Sequence, residues 1–303
     1  MKRRYFLEKI TSSTILGLSF PLIGFEKHNF SSKKITILHT NDVHSHIDPF
    51  PPEDPLNPNS GGVIARANII NEIRKDNPNT LLLDAGDIFQ GTPYFNFFGG
   101  EIELKLMSKM GYNASTLGNH EFDNGIKELS KSLKHANFSI INSNYDLKNT
   151  SIEDKIKKYE IYIIDGVKIG VFGLGIELNG LVEKKLYDGV KYLDPIEITH
   201  DITNKLKNQY QCDIIICLSH LGFKYEKKEE IMCDILLAKK TKNIDLIIGG
   251  HTHTFMKKPV EIKNLLGKKV IINQVGCFGI NIGKIDFYLS NKIISEKSNS
   301  IKI

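Results

Sequence analysis

Apolar residues along this chain fall into short continuous runs, and each run ends abruptly in glycine and polar residues. The runs in KKITILHT, TLLLD, NAST, NFSII, CDIIICLS and IDLIIGG have the length of buried strands. Between them, apolar positions recur with helical spacing. Val63, Ile64, Ala67, Ile70 and Ile73 predict an amphipathic helix that Asn77-Pro78 stops. Further helices are predicted over 101–110, from Gly125 to about His135, from Ile196 to Tyr210, and up to about Lys240. YEIYIIDGVKIGVFGLG predicts two strands joined at Asp165-Gly166, a dipeptide suited to a tight hairpin. VIINQVG and INIGKIDFYL predict the last strands, which close the sheet, and the segment from Asn291 reads as a polar tail. Strands alternating with helices define an α/β domain.

Two segments interrupt this pattern. Residues 49–58 contain Pro49, Pro51, Pro52, Pro55 and Pro58, which excludes helix and central strand and predicts a stiff surface loop. The run from Tyr94 to Phe98 is aromatic and reads as packing against a helix or a partner surface. The start of the chain has different anatomy. Lys2, Arg3 and Arg4 precede an apolar stretch from Ile15 to Phe20, then Leu22 and Ile23, too short and too interrupted for a membrane span. RRYFLEK resembles a twin-arginine export signal at Arg3, Arg4, Phe6 and Leu7. The boundaries expected are therefore an export signal and spacer over 1–30, the folded domain over 31–290 and the tail over 291–303, with a periplasmic or exported location.

Composition narrows the function classes. The 303 residues are 41% hydrophobic and 25% charged, which is ordinary globular usage. The net charge of +5 is spread along the chain rather than gathered in a stripe, so no nucleic-acid polymer is expected as a partner. Cys212, Cys217, Cys233 and Cys277 form no C-x-x-C pair and read as small buried residues.

The chemistry is concentrated where strands end. In α/β sheets that end is where ligands bind. Asp42 and His44 follow the first strand, Asp84 and Asp87 the second, Asn119 and His120 the third, His220, expected to be exposed, a later one, and His251 and His253 the next. His46 reads as a group beside the ligands or facing substrate. A Gly before Asp87 lets backbone approach closely. Asn119 can offer a metal its amide oxygen while His120 stays free to move a proton, and Asp123 is close enough to orient that imidazole. No cysteine takes part, so the donor set is nitrogen and oxygen and suits Zn, Mn, Fe or similar ions.

The motifs ILHTNDVHSH, LDAGDIFQGTP, LGNHEFDNG, SH and GGHTH resemble those of the calcineurin-like metallophosphoesterases, and more closely the catalytic domain of the 5'-nucleotidase and UDP-sugar hydrolase branch. The resemblance runs from Ile35 to Leu289. It implies a four-layer α/β/β/α sandwich holding two divalent metal ions, Zn, Mn or similar. By motif position, Asp42, His44, Asp87 and His253 match the ligands of one metal, and Asp87, Asn119, His220 and His251 those of the second. His120 and Asp123 match the catalytic pair. Some members have Gln at the position of His253. The activity implied is hydrolysis of nucleotides or related phosphate esters by a metal-bridged hydroxide. Thiosulfohydrolase-like chemistry on the same scaffold and a non-catalytic scaffold subunit are the alternatives, and the second predicts eroded ligands. In the resembled enzymes a C-terminal domain grips the nucleotide. A separately encoded domain of that kind is therefore an expected partner, with the loop 49–58 and the run 94–98 as its docking surface and low substrate discrimination by this chain alone.

Overall fold

Side-chain parity sorts the strands into layers. In the strand Lys33–Thr40, Ile35 and Ile37 face one way and Leu38 the other, and in Thr80–Asp84, Leu81 and Leu83 oppose Leu82. The computed structural model describes residues 33–226, 231–290 and 293–303, and in it these faces belong to two stacked sheets. The first sheet runs in the order Ile293–Lys302, Asn281–Ser290, Lys33–Thr40, Thr80–Asp84, Ala114–Ser115, Ser139–Ile141 and Ile156–Lys157. The second runs Val260–Lys263, Lys269–Asn273, Leu246–Gly249, Ile214–Ser219, Val167–Leu174 and Tyr159–Ile164. Both have parallel central strands, and the second is flanked by an antiparallel strand at each margin. The first has antiparallel partners at one margin and ends at the other in Ile156–Lys157, which pairs parallel with Ser139–Ile141.

Ile35, Ile37, Leu81 and Leu83 meet Val171, Ile214, Ile216 and Ile248 between the sheets. Outside the first sheet, Leu38 and Leu82 pack against Ile70 of the helix Val63–Asp76 and against Leu104 and Met107 of Glu101–Met110. Outside the second, Ile215, Cys217 and Ile247 pack against Ile202 of Pro195–Asn204 and Leu237 of Asp234–Lys240. The result is the four-layer α/β/β/α sandwich, with the central parallel strands covered on both faces.

Most elements lie where the apolar pattern places them, and the exceptions have physical causes. The last two strands close different sheets: Lys269–Asn273 pairs with Leu246–Gly249 in the second, Asn281–Ser290 with Lys33–Thr40 in the first. The tail expected to be polar from Asn291 carries the strand Ile293–Lys302, paired antiparallel with Asn281–Ser290 over ten residues. A margin strand needs no continuous apolar run, so polar composition hides it. The helix expected from Ile196 to Tyr210 is α-helical only to Asn204 and then widens into a π-helical turn at Lys205–Gln209. The aromatic run forms the short helix Pro93–Phe98, which buries Phe95 and leaves Phe97 exposed. Asp165 and Gly166 both have positive φ, 49° and 73°, as the predicted hairpin turn requires. All four cysteines are buried and free. Among the described residues no helix is long and apolar enough to cross a membrane. The expected export signal lies outside the described residues.

Candidate metal centre

Loops at the carboxyl ends of both sheets converge on one point, and their backbones are unusual. Asp42, His44, Asp87, His251 and His253 all have positive φ, between 50° and 70°. For residues other than glycine this is a strained conformation, tolerated where surrounding bonds hold it. Here the bonds are visible. Asp42 N donates to Gly86 O at 2.9 Å, His44 N to Asp87 O at 3.0 Å and Ser45 N to Ile88 O at 2.8 Å, so the first two loops continue to pair beyond their strands. His251 N donates to both carboxylate oxygens of Asp42, at 2.9 and 3.1 Å, which ties the second sheet to the first. Close approach also needs missing side chains. A Cβ on Gly86 would sit 2.6 Å from Gly118 N, and one on Gly118 would run into Asp87 Oδ1.

The side chains form overlapping donor groups. Asp42, His44 and His253 lie with one donor atom each within 4.8 Å of one another, as do Asp87, His220 and His251, and as do His44, Asp87 and His120. Asp87 therefore belongs to two groups. Its Oδ2 is 3.0 Å from His220 Nε2 and 3.9 Å from His44 Nε2. Asn119 Oδ1 is 3.0 Å from His251 Nδ1, which adds the amide to the second group. All seven ligands expected from the motifs are thus in one cluster. His220, expected to be exposed, has no exposure at all: its strand ends inside the sandwich, under the Gly86 and Gly250 loops.

The cluster fits divalent cations on its own chemistry. His220 Nδ1 faces Ala85 O at 2.7 Å and His44 Nδ1 faces Phe89 O at 3.2 Å, so each can donate there and leave its Nε2 lone pair toward the centre. His220 Nε2 is buried, and its 3.0 Å contact with Asp87 Oδ2 lacks the alignment of a hydrogen bond. Among the described residues no lysine or arginine pairs with Asp42 or Asp87; their cationic partners are imidazoles alone. Burial lowers the His220 pKa, but Asp87 and Asp42 overcome that and lift it to about 10. The bond to Asp42, with Cys277 alongside, lifts His253 to about 10. Burial would raise the Asp87 carboxyl, yet His220, His44 and His120 hold it well below the ordinary carboxylate range. Two buried carboxylates without fixed cations draw positive charge into the site, and protons and metal ions compete for the same lone pairs.

Beside the cluster, His120 Nδ1 is 2.7 Å from Asp123 Oδ2, and His120 N donates to Asp87 Oδ1 at 2.9 Å. The Asp123 bond is the main reason the His120 pKa is raised. Asp84, nearer its strand, is not at the cluster. It is fully buried and accepts from Thr40, Ser115 and Gly86 N.

Two functional groups escaped the sequence reading. Glu121, between His120 and Asp123, accepts from Asp87 N at 3.0 Å, Ile88 N at 2.7 Å and Gly118 N at 2.5 Å, and so locks the Asp87 loop to the Gly118 turn. Its place inside GNHE was the available signal. Gln274 holds the His251–His253 loop by donating to Gly250 O and accepting from Thr254 N, and no motif marks it.

A two-sheet sandwich carrying aspartates, histidines and an asparagine at its strand ends defines a metallophosphoesterase. The chain belongs to the calcineurin-like phosphoesterase family, whose sequence model matches residues 35–255. It is 34% identical over 291 residues to the snake venom 5'-nucleotidase of Gloydius brevicauda, covering 89% of this chain and 47% of that protein. It is 32% identical over 299 residues to the trifunctional nucleotide phosphoesterase protein YfkN of Bacillus subtilis, covering 88% of this chain and 19% of that protein. The 5'-nucleotidase precursor from Thermus thermophilus matches the fold with a TM-score of 0.79 at 29% identity, over 89% of this chain and 55% of that one. The chain therefore spans about half the length, or less, of the curated relatives it matches.

Proposed function

We propose that this chain is the catalytic domain of a dinuclear metallophosphoesterase that hydrolyses nucleotides or related phosphate esters. The observation that carries the reading is Asp87, which groups with His220 and His251 on one side and with His44 and His120 on the other. His44 also groups with Asp42 and His253, and His120 is bonded to Asp123. Asp42, His44, Asp87 and His253 would hold one cation, and Asp87, Asn119, His220 and His251 the other. When bound, such a pair of cations polarises the phosphoryl group and lowers the pKa of a water.

The chain's own residues supply the rest. Asp123 accepts from His120 Nδ1, fixes the ring and keeps it charged to higher pH, so that Nε2 faces the cluster as a proton donor for the departing oxygen. The ring also places positive charge where the phosphoryl oxygens gather negative charge.

A substrate-binding domain beyond the described residues, on this or another polypeptide, would dock beside the site. Tyr94 donates to Asp48, the residue before the proline-rich loop, at 2.8 Å and ties the start of that loop to the aromatic helix, whose Phe97 and Phe98 are exposed. The twin-arginine-like start supports an exported location.

The test is phosphate release by metal-stripped protein from a panel of nucleoside monophosphates, aryl phosphates and aliphatic phosphates, with Mn, Zn, Mg or Co added back. Metal-dependent release is expected. Turnover of thiosulfonate conjugates in place of every phosphate ester would move the chain to the thiosulfohydrolase reading, and no turnover of either to the scaffold reading.

A further inference from the structure

Between the strands Lys269–Asn273 and Asn281–Ser290 the chain passes through Gly276, Cys277, Phe278 and Gly279. Gly276 and Gly279 have φ of 83° and 64°, as glycine readily does, but Phe278 also stands at 61°. A bulky side chain in that region is held there against its preference. The holding bond comes from the site itself: Phe278 N donates to Asp42 O at 2.7 Å.

The effect is to set the Phe278 ring beside the candidate ligands. Its centroid is 5.9 Å from that of His44, 5.9 Å from that of His253 and 4.4 Å from that of His46. His46 in turn lies nearly parallel to Phe50, 5.1 Å away at 23°, and Phe50 is 6.0 Å from Phe278. These three rings are only half-buried, and none belongs to any of the three core layers, so sandwich packing does not account for them. The wall they make lies close to the reacting end. His44 is a neighbour of both sides, 5.2 Å from His120 and 5.9 Å from Phe278.

We propose that Phe278, His46 and Phe50 form a stacking platform for a flat aromatic group on the phosphate ester, in the first instance the nucleobase of a nucleotide. The proposal rests on the phosphoesterase reading above and assigns its substrate class. An ester whose phosphate lies at the cluster, near His120, has this wall within one nucleoside's length. Aromatic faces stack on any base, so the platform selects aromatic over aliphatic esters without choosing among bases.

The experiment uses the full chain loaded with its activating metal. It compares kcat/KM for a nucleoside 5'-monophosphate with that for glycerol phosphate in wild type, Phe278→Leu and Phe50→Leu. The nucleotide-to-glycerol phosphate ratio is expected to fall about 5- to 100-fold in each variant, the usual range for loss of one stacking face, with bound metal retained. Phe50→Leu provides the check that does not disturb the strained backbone beside Asp42. An unchanged ratio in both variants, whatever the absolute rates, overturns the platform. If wild type turns over neither substrate, the phosphoesterase reading fails and the platform is judged by equilibrium binding. Wild type must then bind the nucleoside monophosphate at least about tenfold more tightly than inorganic phosphate, and both variants must lose that margin; otherwise the platform is wrong too.

Discussion

The Nε2 atoms of His44 and His253 face each other at 2.9 Å, although the residues are 209 positions apart and stand on loops of different sheets. With His44 Nδ1 turned to Phe89 O, its Nε2 is an acceptor aimed at the same point as His253. Nitrogens brought together this way repel unless a proton or a cation lies between them. The seam between the sheets is thus where positive charge belongs.

Asp87 belongs to two of the three overlapping donor groups, so Asp87→Asn is expected to abolish phosphate release and to reduce bound metal below two ions per chain. Metal content by plasma mass spectrometry, alongside turnover, checks this. Wild-type turnover with two ions in the variant would sink the ligand assignment.

His120 belongs to one donor group but is bonded to Asp123, and removal separates its two readings. His120→Ala is expected to keep the metal content and lose about 10²–10⁴ in rate, the worth of a positioned acid. A drop in bound metal would make it a ligand instead. The pH profile carries the sign. Asp123 raises the His120 pKa, so the protonated, active form persists to higher pH and activity is lost as pH rises through that pKa. In Asp123→Asn the basic limb of kcat should therefore move to lower pH.

Glu121 gathers three backbone N–H groups around the Asp87 loop. A glutamine there would turn its NH₂ toward donors, leaving them unsatisfied at a cost of roughly 1–3 kcal/mol. Glu121→Gln is expected to weaken metal binding about 10- to 100-fold, measured by competition with a chelator. Unaltered affinity would show that the loop holds itself.

Burial raises the Asp84 carboxyl to about 6, against the hydrogen bonds from Thr40, Gly86 and Ser115. Below pH ~4 the group is protonated in folded and unfolded chains alike. As pH rises from there to about 6 only the unfolded chain ionises, so stability falls across this window and then levels, by at most roughly 3 kcal/mol. Asp84→Asn keeps the shape and removes the titration. Urea unfolding between about pH 4 and 7.5 should give a flatter stability curve for the variant, and parallel curves would refute the assignment.

The sequence was most legible where one residue type has one job. Apolar runs located the central parallel strands because those are buried on both faces, but not the two-residue margin strand Ile156–Lys157. The strand-end motifs contain the Asp, Asn and His side chains that the fold brings together. Legibility failed where partners decide. Nothing in VIINQVG or INIGKIDFYL shows that they join different sheets, since pairing is settled by the whole sandwich. Ile293–Lys302 was hidden because a polar margin strand resembles a tail. No motif marks Phe278, and its bond to Asp42 O is what sets where the ring goes.

The split origin of the donors has a consequence for the life of the protein. Asp42, Asp87 and Asn119 come from one sheet, His220, His251 and His253 from the other, so an ion held by them is sewn through both halves of the sandwich. The halves cannot part at that end while the ion stays, and an ion bound only by the assembled fold adds its binding energy to the opening barrier or equilibrium. In the exported location proposed above, where proteases sample transient openings, such a chain would survive for as long as the surrounding metal supply kept its stitch in place.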